Sequence, residues 1–241
     1  MNPELDSYIS LDLFMKQQTL VISLGGSLIV PDGIDTVFLM RFKKIIANYS
    51  KKNKVIIICG GGNTARRYNA ALRAMRPHIT PQELDWMGIE VTHVNALLVK
   101  GVLGSAAEEK IMHNPTEKIR TKKNIILGCG WKPGCSTDKD AVLAAKTFGV
   151  KIIINLSNIT YVYDKDPKKF KTAKSYKNMT WRELRRIVGN TWNPGAHVPF
   201  DPVAARYAQK WKQRLVVMKG SDLKNFENFL HGKKFRGTLI A

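Results

Sequence analysis

Short apolar runs alternate along the chain with segments whose apolar residues recur every three or four positions. Thr19–Leu24, Lys54–Cys59, 125–127, 151–156 and 214–218 are rich in Ile, Val and Leu and are bounded by polar residues or glycine, which predicts strands buried on both faces, as in a parallel sheet. Between the first two, Phe38, Phe42, Ile45, Ile46 and Tyr49 fall at helical spacing and predict a helix over 35–49. A second helix is expected over 64–75, ending before Pro77. Thr80-Pro81-Gln82-Glu83 then supplies an N-cap, an N1 proline and a reciprocal N3 carboxylate, so a long helix should start there and run through Leu97 and Leu98 toward Gly104.

The second half continues the alternation. A helix is expected over 141–148, and the turn-rich 160–176 reads as a hairpin projecting from the sheet. Thr180-Trp181-Arg182-Glu183 repeats the capping box and opens a helix to Val188; Asp201-Pro202 opens another, to about Trp211. A helix over 222–230 and a strand over 237–240 close the series. Repeated strand–helix units of this kind predict an α/β fold: a mainly parallel sheet with helices on both faces and ligand loops at the carboxyl ends of the strands.

Two of those strand-to-helix turns are glycine runs, Gly25-Gly26-Ser27 and Gly60-Gly61-Gly62. Glycine lets the backbone approach an anion closely, and the helix that follows offers unpaired N–H groups and the positive end of its dipole. Two such turns in one chain suggest two phosphorylated groups, a donor and an acceptor.

Composition changes this picture little. With 241 residues and 44% hydrophobic content the chain can bury a full core, and the longest polar stretch, 164–178, is too short to separate two cores, so 19–241 is expected to form one domain behind an N-terminal extension, 1–18. Met1 to Leu13 carry three acids and no basic residue, which argues against a secretory signal, and no apolar run reaches membrane-spanning length; a cytoplasmic location is expected. The net charge of +20, from 39 basic and 19 acidic residues, makes nucleic acid an obvious candidate partner. The basic clusters are short, lack a nucleic-acid-binding motif, and suit a solvated surface that attracts polyanionic ligands. Cys59, Cys129 and Cys135 match neither a disulfide framework nor a zinc knuckle and read as free thiols, and the five histidines have no metal-ligand spacing.

Leu24-Gly25-Gly26-Ser27, Gly60-Gly61-Gly62-Asn63, Asp85-Trp86-Met87-Gly88, Thr137-Asp138 and Val162-Tyr163-Asp164-Lys165-Asp166-Pro167, in that order, resemble the uridylate (UMP) kinases of the amino-acid-kinase superfamily, especially the archaeal type. The resemblance runs from Thr19 to the C-terminus. It implies a three-layer α/β/α sandwich, transfer of the ATP γ-phosphoryl to UMP with Mg²⁺, and a homohexamer. By the same resemblance Gly25, Gly26 and Ser27 line the path of the transferring group, Gly61, Gly62, Arg66 and Thr137 hold UMP with Asp85 on its ribose, and Asn158, Tyr163 and Asp166 bind ATP. Arg67 competes with Arg66 for the phosphate. The motif does not choose between Asp138 and Asp140: one is expected to organise phosphoryl transfer and one to cap the following helix.

The chain also departs from the pattern. Ser23 stands where bacterial members have a lysine, which leaves Lys139, Lys132 or Mg²⁺ to offset the phosphate charge; Trp131 and Lys132 replace a small polar residue that helps recognise the nucleotide; and Thr160-Tyr161 replaces an Asp-Gly pair. These departures keep open a nucleotide-binding regulatory or storage protein without turnover; the other rival, a relative that phosphorylates a small acid or phosphate ester, is opposed by Arg66 together with Asp85, since a small acceptor has no ribose to hold.

Overall fold

A computed structural model of the chain describes residues 18–167, 169–191 and 198–241. Nearly all of the expected 1–18 extension therefore lies outside the described residues. Seven strands form one sheet in the order β3-β2-β1-β4-β8-β9-β7: β1 (Thr19–Leu24), β2 (Lys54–Cys59), β3 (Ile125–Gly128), β4 (Ile152–Ser157), β7 (Asn178–Met179), β8 (Arg214–Lys219) and β9 (Thr238–Ile240). The pairs among β3, β2, β1, β4 and β8 are all parallel, and β9 runs antiparallel to β8. The expected hairpin is present as β5 (Val162–Tyr163) paired with β6 (Ser175–Tyr176) in a separate ribbon.

Period-2 alternation sorts the strand side chains into two cores. Leu20, Ile22 and Leu24 of β1 and Val55, Ile57 and Cys59 of β2 face α2 (Thr36–Tyr49), α4 (Pro81–Leu103) and α8 (Leu223–Leu230), which contribute Phe42, Ile46, Ala96, Val99, Phe226 and Phe229. Val21, Ile56, Ile58 and Ile153 point the other way, onto α5 (Thr137–Phe148), α6 (Trp181–Val188) and α7 (Pro202–Lys210). The helices of the second layer meet the sheet through Ala141, Ala144, Ala145, Ala204, Ala205 and Ala208, small residues that bring helix and sheet backbones close. The resulting three-layer α/β/α sandwich agrees with the fold the sequence predicts.

Three helix starts differ from expectation; that of α5, at Thr137, precedes the expected 141 because its first turn is polar. A one-turn helix, α1 (Gly26–Ile29), follows β1 directly, and α3 (Gly62–Met75) starts two residues earlier than its apolar pattern indicates, because in both cases the glycine run itself forms the first turn. The two runs touch backbone to backbone: a Cβ on Gly26 would lie 2.3 Å from Gly60 O and 2.4 Å from Gly62 N, and one on Gly62, at φ +59°, would lie 2.3 Å from Gly26 C. No side chain fits between them. Gly62→Ala should therefore lower the unfolding free energy by at least roughly 1–3 kcal/mol, the scale of a strained backbone position. Gly101→Ala, in α4 with open space around it, should instead stabilise by roughly 0.5–1 kcal/mol. Urea unfolding of the two variants checks this, and equal, small effects would mean that the turns do not depend on their contact.

Candidate active site

Strand order places the site. From β1 the chain steps to β2 and β3 on one side, then returns to β4 on the other, so the loops leaving β1 and β4 part company at their carboxyl ends and open a crevice there. At that point Gly25 N–H donates to Leu156 O at 3.0 Å, and Gly60 N–H donates to Leu24 O at 2.9 Å, which ties the turns after β1 and β2 to the strand ends. The buried Asn95 of α4, which sequence reasoning missed, donates its side-chain amide to Gly60 O at 2.8 Å.

The helix starts differ in a telling way. Asp35, Thr80, Ser136, Thr180, Asp201 and Asp222 cap α2, α4, α5, α6, α7 and α8 with their side chains. The starts of α1 and α3, the two glycine turns, have no side-chain cap. Their first N–H groups remain available to an anion, and α3 adds a full-length dipole. Arg66, on the exposed first turns of α3, rests its guanidinium on Asn63 Oδ1, whereas Arg67 is taken by Asp32 at 3.1 Å. Of the two arginines, Arg66 is the one with no carboxylate partner, which suits an anion ligand.

Asp138 and Asp140 belong to the first turn of α5, and neither caps it. Ser136 does, its Oγ accepting from Lys139 N–H at 3.2 Å, so the expected cap role passes to the serine. Asp138 keeps some surface exposed but turns its carboxyl inward, accepting from Ser23 Oγ (3.0 Å) and from Asp201 N–H (3.3 Å). Burial, with the Asp201 charge adding to it, raises the Asp138 pKa to about 7 against the help of these hydrogen bonds. Asp140 is fully buried; Oδ2 accepts from Trp131 N–H at 3.2 Å while Oδ1 has no partner, and burial raises its pKa to about 8. Asp201, read from sequence only as a helix cap, does cap α7 and also accepts from Ser136 Oγ at 2.6 Å. That second bond spans 65 residues, and no local signal announces it.

No ion pair between a lysine and these carboxylates exists among the described residues. Lys139 reaches Gly134 O at 3.4 Å, and Lys132 lies 3.9 Å from the Trp131 ring centroid. Ser23 thus fills its place with a hydroxyl hydrogen bond and not with charge.

On the β2–β3 side, Asp85 in the first turns of α4 accepts from Gly134 N–H at 2.9 Å, which fastens loop 130–135 to α4, and Thr92 lies against both Gly61 and Gly130. Thr137 borders Gly60, its Oγ1 3.6 Å from where a Cβ would be. On the β4 side, Asn158 is exposed just past β4, Tyr163 is half-buried in β5, and Asp166 is exposed in the turn that follows, its carbonyl accepting from Lys169 and Phe170. Contacts join Gly26 to Gly60, Gly61 and Gly62, Thr137 to Gly60 and Asp138 to Ser23 at the end of β1, while Asp140 is buried beneath the Trp131 loop, Arg66 and Asp85 lie on α3 and α4, and Asn158, Tyr163 and Asp166 follow β4. Cys129 lies 3.5 Å from His113 Nδ1, but burial pushes its thiol up to about 12, so it shapes the loop as a neutral group. A cleft of ≈ 390 Å³ lined by Trp181, Gln213 and Arg214 lies at the opposite end of the sheet, where β8 begins, away from these residues.

A family model described as the amino acid kinase family matches residues 18–219. The chain belongs to that family. It is 34% identical over 227 residues to a uridylate kinase of Methanospirillum hungatei, spanning 92% of this chain and 94% of the relative. It is 34% identical over 224 residues to one of Thermoplasma volcanium, spanning 90% and 94%. The crystal structure of uridylate kinase from Archaeoglobus fulgidus superposes with a TM-score of 0.80 at 28% identity, over 92% of this chain and 99% of that one. Two glycine turns without side-chain caps at the carboxyl ends of the strands can each seat an anion.

The two raised carboxyl pKa values fix a pH dependence. Unfolded aspartates release their protons near 3.8, whereas the folded chain keeps them to about 7 and about 8. The stability these groups contribute is full below about pH 4 and is lost as the pH rises through those values. Asp140→Asn, which cannot ionise, should melt at nearly the parent temperature at about pH 4 and increasingly above it as the pH rises to about 9. A constant difference across that range in thermal scans would show that the folded carboxyl is not held protonated.

Proposed function

We propose that the chain is a nucleoside-monophosphate kinase that transfers the γ-phosphoryl of ATP to UMP, giving UDP and ADP by direct in-line transfer without a covalent intermediate. The observation that carries this reading is the pair of side-chain-uncapped glycine turns packed backbone to backbone beside Asp138. Two phosphates seated on such turns meet end to end, as in-line transfer requires.

In this reading Gly61, Gly62, Thr137 and Arg66 hold the UMP phosphate. Asp85 binds the ribose through Oδ1, since Oδ2 is engaged by Gly134. Gly25, Gly26 and Ser27 follow the transferring group, and Asn158, Tyr163 and Asp166 bind the ATP nucleoside. Asp138, positioned by Ser23 and Asp201, orients the reacting phosphates, and Asp140 fixes the Trp131 loop. Among the described residues no group of three or more His, Cys, Asp or Glu side chains is arranged to hold a metal. Mg²⁺ is part of the MgATP substrate, bound mainly by phosphate oxygens. The activity belongs to pyrimidine nucleotide biosynthesis in the cytoplasm, carried by one domain, 19–241; no helix among the described residues is long and apolar enough to cross a membrane. A nucleotide-binding protein without turnover is the competing reading, and the carboxylates without an ion-paired lysine are what favour it.

ADP release over a panel of nucleoside monophosphates and small acids tests the proposal. UMP should support turnover, and Arg66→Ala should lower kcat/KM for UMP by about tenfold or more, the scale of one charge-assisted contact, with less effect on the ATP KM. Unaltered UMP kinetics in Arg66→Ala would remove that residue from the site.

Assembly as a homohexamer is part of the same proposal. Helix α3 buries none of its residues, and Tyr68 and Met75 on it, with Trp86, Val94 and Leu97 along α4, form an exposed apolar stripe that a second copy would cover. Val94→Glu with Leu97→Glu should convert the hexamer into smaller species in mass photometry. An unchanged mass distribution would place the interface elsewhere.

A further inference from the structure

Loop 130–135 spends its backbone donors on the protein itself. Gly130 N–H goes to Thr92 Oγ1 (2.7 Å), Trp131 N–H to the buried Asp140 (3.2 Å), Gly134 N–H to Asp85 (2.9 Å) and Cys135 N–H to Lys132 O (3.1 Å). Pro133 has no N–H, so only that of Lys132 is left to a ligand. A loop with its donors committed in this way is a poor reader of base edges, whose discrimination comes from directed hydrogen bonds.

What the loop does present is a ring. Trp131 is half-buried, its backbone is clamped between anchors on α4 and α5, and the Lys132 ammonium sits 3.9 Å from the ring centroid, which restrains the indole by a cation–π contact. The surroundings place the loop that carries this ring beside the proposed acceptor turn. Thr92 packs under Gly130 and also lies 3.5 Å from where a Cβ on Gly61 would be, so one residue of α4 floors both the phosphate turn and the Trp131 loop. Asp85, about two α-helical turns earlier on α4, is bonded to the same loop. In the proposed reading a monophosphate seated at the start of α3 extends toward this loop.

We infer that Trp131, backed by Lys132, is the stacking platform for the nucleobase of the acceptor, and that this chain selects its acceptor by stacking more than by base-edge hydrogen bonds, accepting CMP alongside UMP. The inference rests on the monophosphate-kinase reading. Every base offers a π-face, and stacking on an aromatic side chain contributes about 1–3 kcal/mol per base with little regard to its identity. With the N–H groups of Gly130, Trp131, Gly134 and Cys135 committed, only that of Lys132 is left in the loop backbone to favour the O4 acceptor of uracil over the amino group of cytosine.

The experiment compares the full-length chain with Trp131→Ala and Trp131→Phe, using UMP, CMP and ribose 5-phosphate as acceptors in an ADP-release assay, with calorimetric titration of UMP and CMP in parallel. The parent should use UMP and CMP with kcat/KM values within about tenfold of each other. Trp131→Ala should raise the KM for both by about 5- to 150-fold, the range that corresponds to the stacking term. It should leave the ATP KM and any turnover of ribose 5-phosphate unchanged, and Trp131→Phe should recover most of the loss. A parent that prefers UMP over CMP by more than about a hundredfold, or a Trp131→Ala variant with parental KM values, would overturn the inference while leaving the kinase reading intact. No turnover with any acceptor would instead overturn the kinase reading. The titrations then still decide on Trp131, because equal UMP affinity in parent and Trp131→Ala removes it from the site.

Discussion

The contact between the turns after β1 and β2 is the constraint on which the rest of the crevice depends. Gly26 and Gly62 meet at distances that exclude even a methyl group, and that meeting is what lets two helix starts converge on one place. Parallel register brings the strand ends level, since Leu24 pairs with Cys59, and the hydrogen bond from Gly60 to Leu24 locks the second turn onto the first. Asn95 holds Gly60 from the α4 side, so the long helix is tied to the same point from below. A side chain on either glycine would force the turns apart and separate the two anion sites together with the helices behind them.

Around that contact the electrostatics run against the composition of the chain. A protein with a formal charge of +20 gathers Asp138, Asp140 and Asp201 at its candidate site, none of them ion-paired to a lysine among the described residues. Burial raises the pKa of Asp138 and Asp140, so the site limits its own negative charge by holding protons near neutral pH. The excess of lysine and arginine elsewhere supplies the field that draws polyanionic nucleotides toward the protein. In the proposed mechanism, positive charge at the transferring phosphoryl then comes from helix starts, Arg66 and the Mg²⁺ carried by ATP.

Much of this was legible in the sequence, and the reasons are physical. Short runs rich in Ile and Val, bounded by glycine or polar residues, suit strands buried on both faces, and the reciprocal Thr80–Glu83 and Thr180–Glu183 capping boxes fix helix starts from four consecutive residues. The two glycine turns could be read as candidate anion sites because phosphate binding by backbone depends on local conformation. The starts of α1, α3 and α5 were less well read: their first turns consist of Gly or of Ser, Thr and Asp, which carry no apolar period.

Local sequence therefore determined the elements, their order, the sheet type and the two phosphate turns, since each depends on residues within a few positions of one another. Tertiary structure alone decided which polar groups meet. The bonds from Ser23 to Asp138, from Ser136 to Asp201 and from Asn95 to Gly60 join residues 115, 65 and 35 positions apart. It also assigned the α5 cap to Ser136 and left Arg66, not Arg67, without a carboxylate partner. The backbone contact of Gly26 with Gly62 belongs to the same class. A glycine codon records that a side chain is absent, and only the packed sheet shows what occupies the space where it would have been.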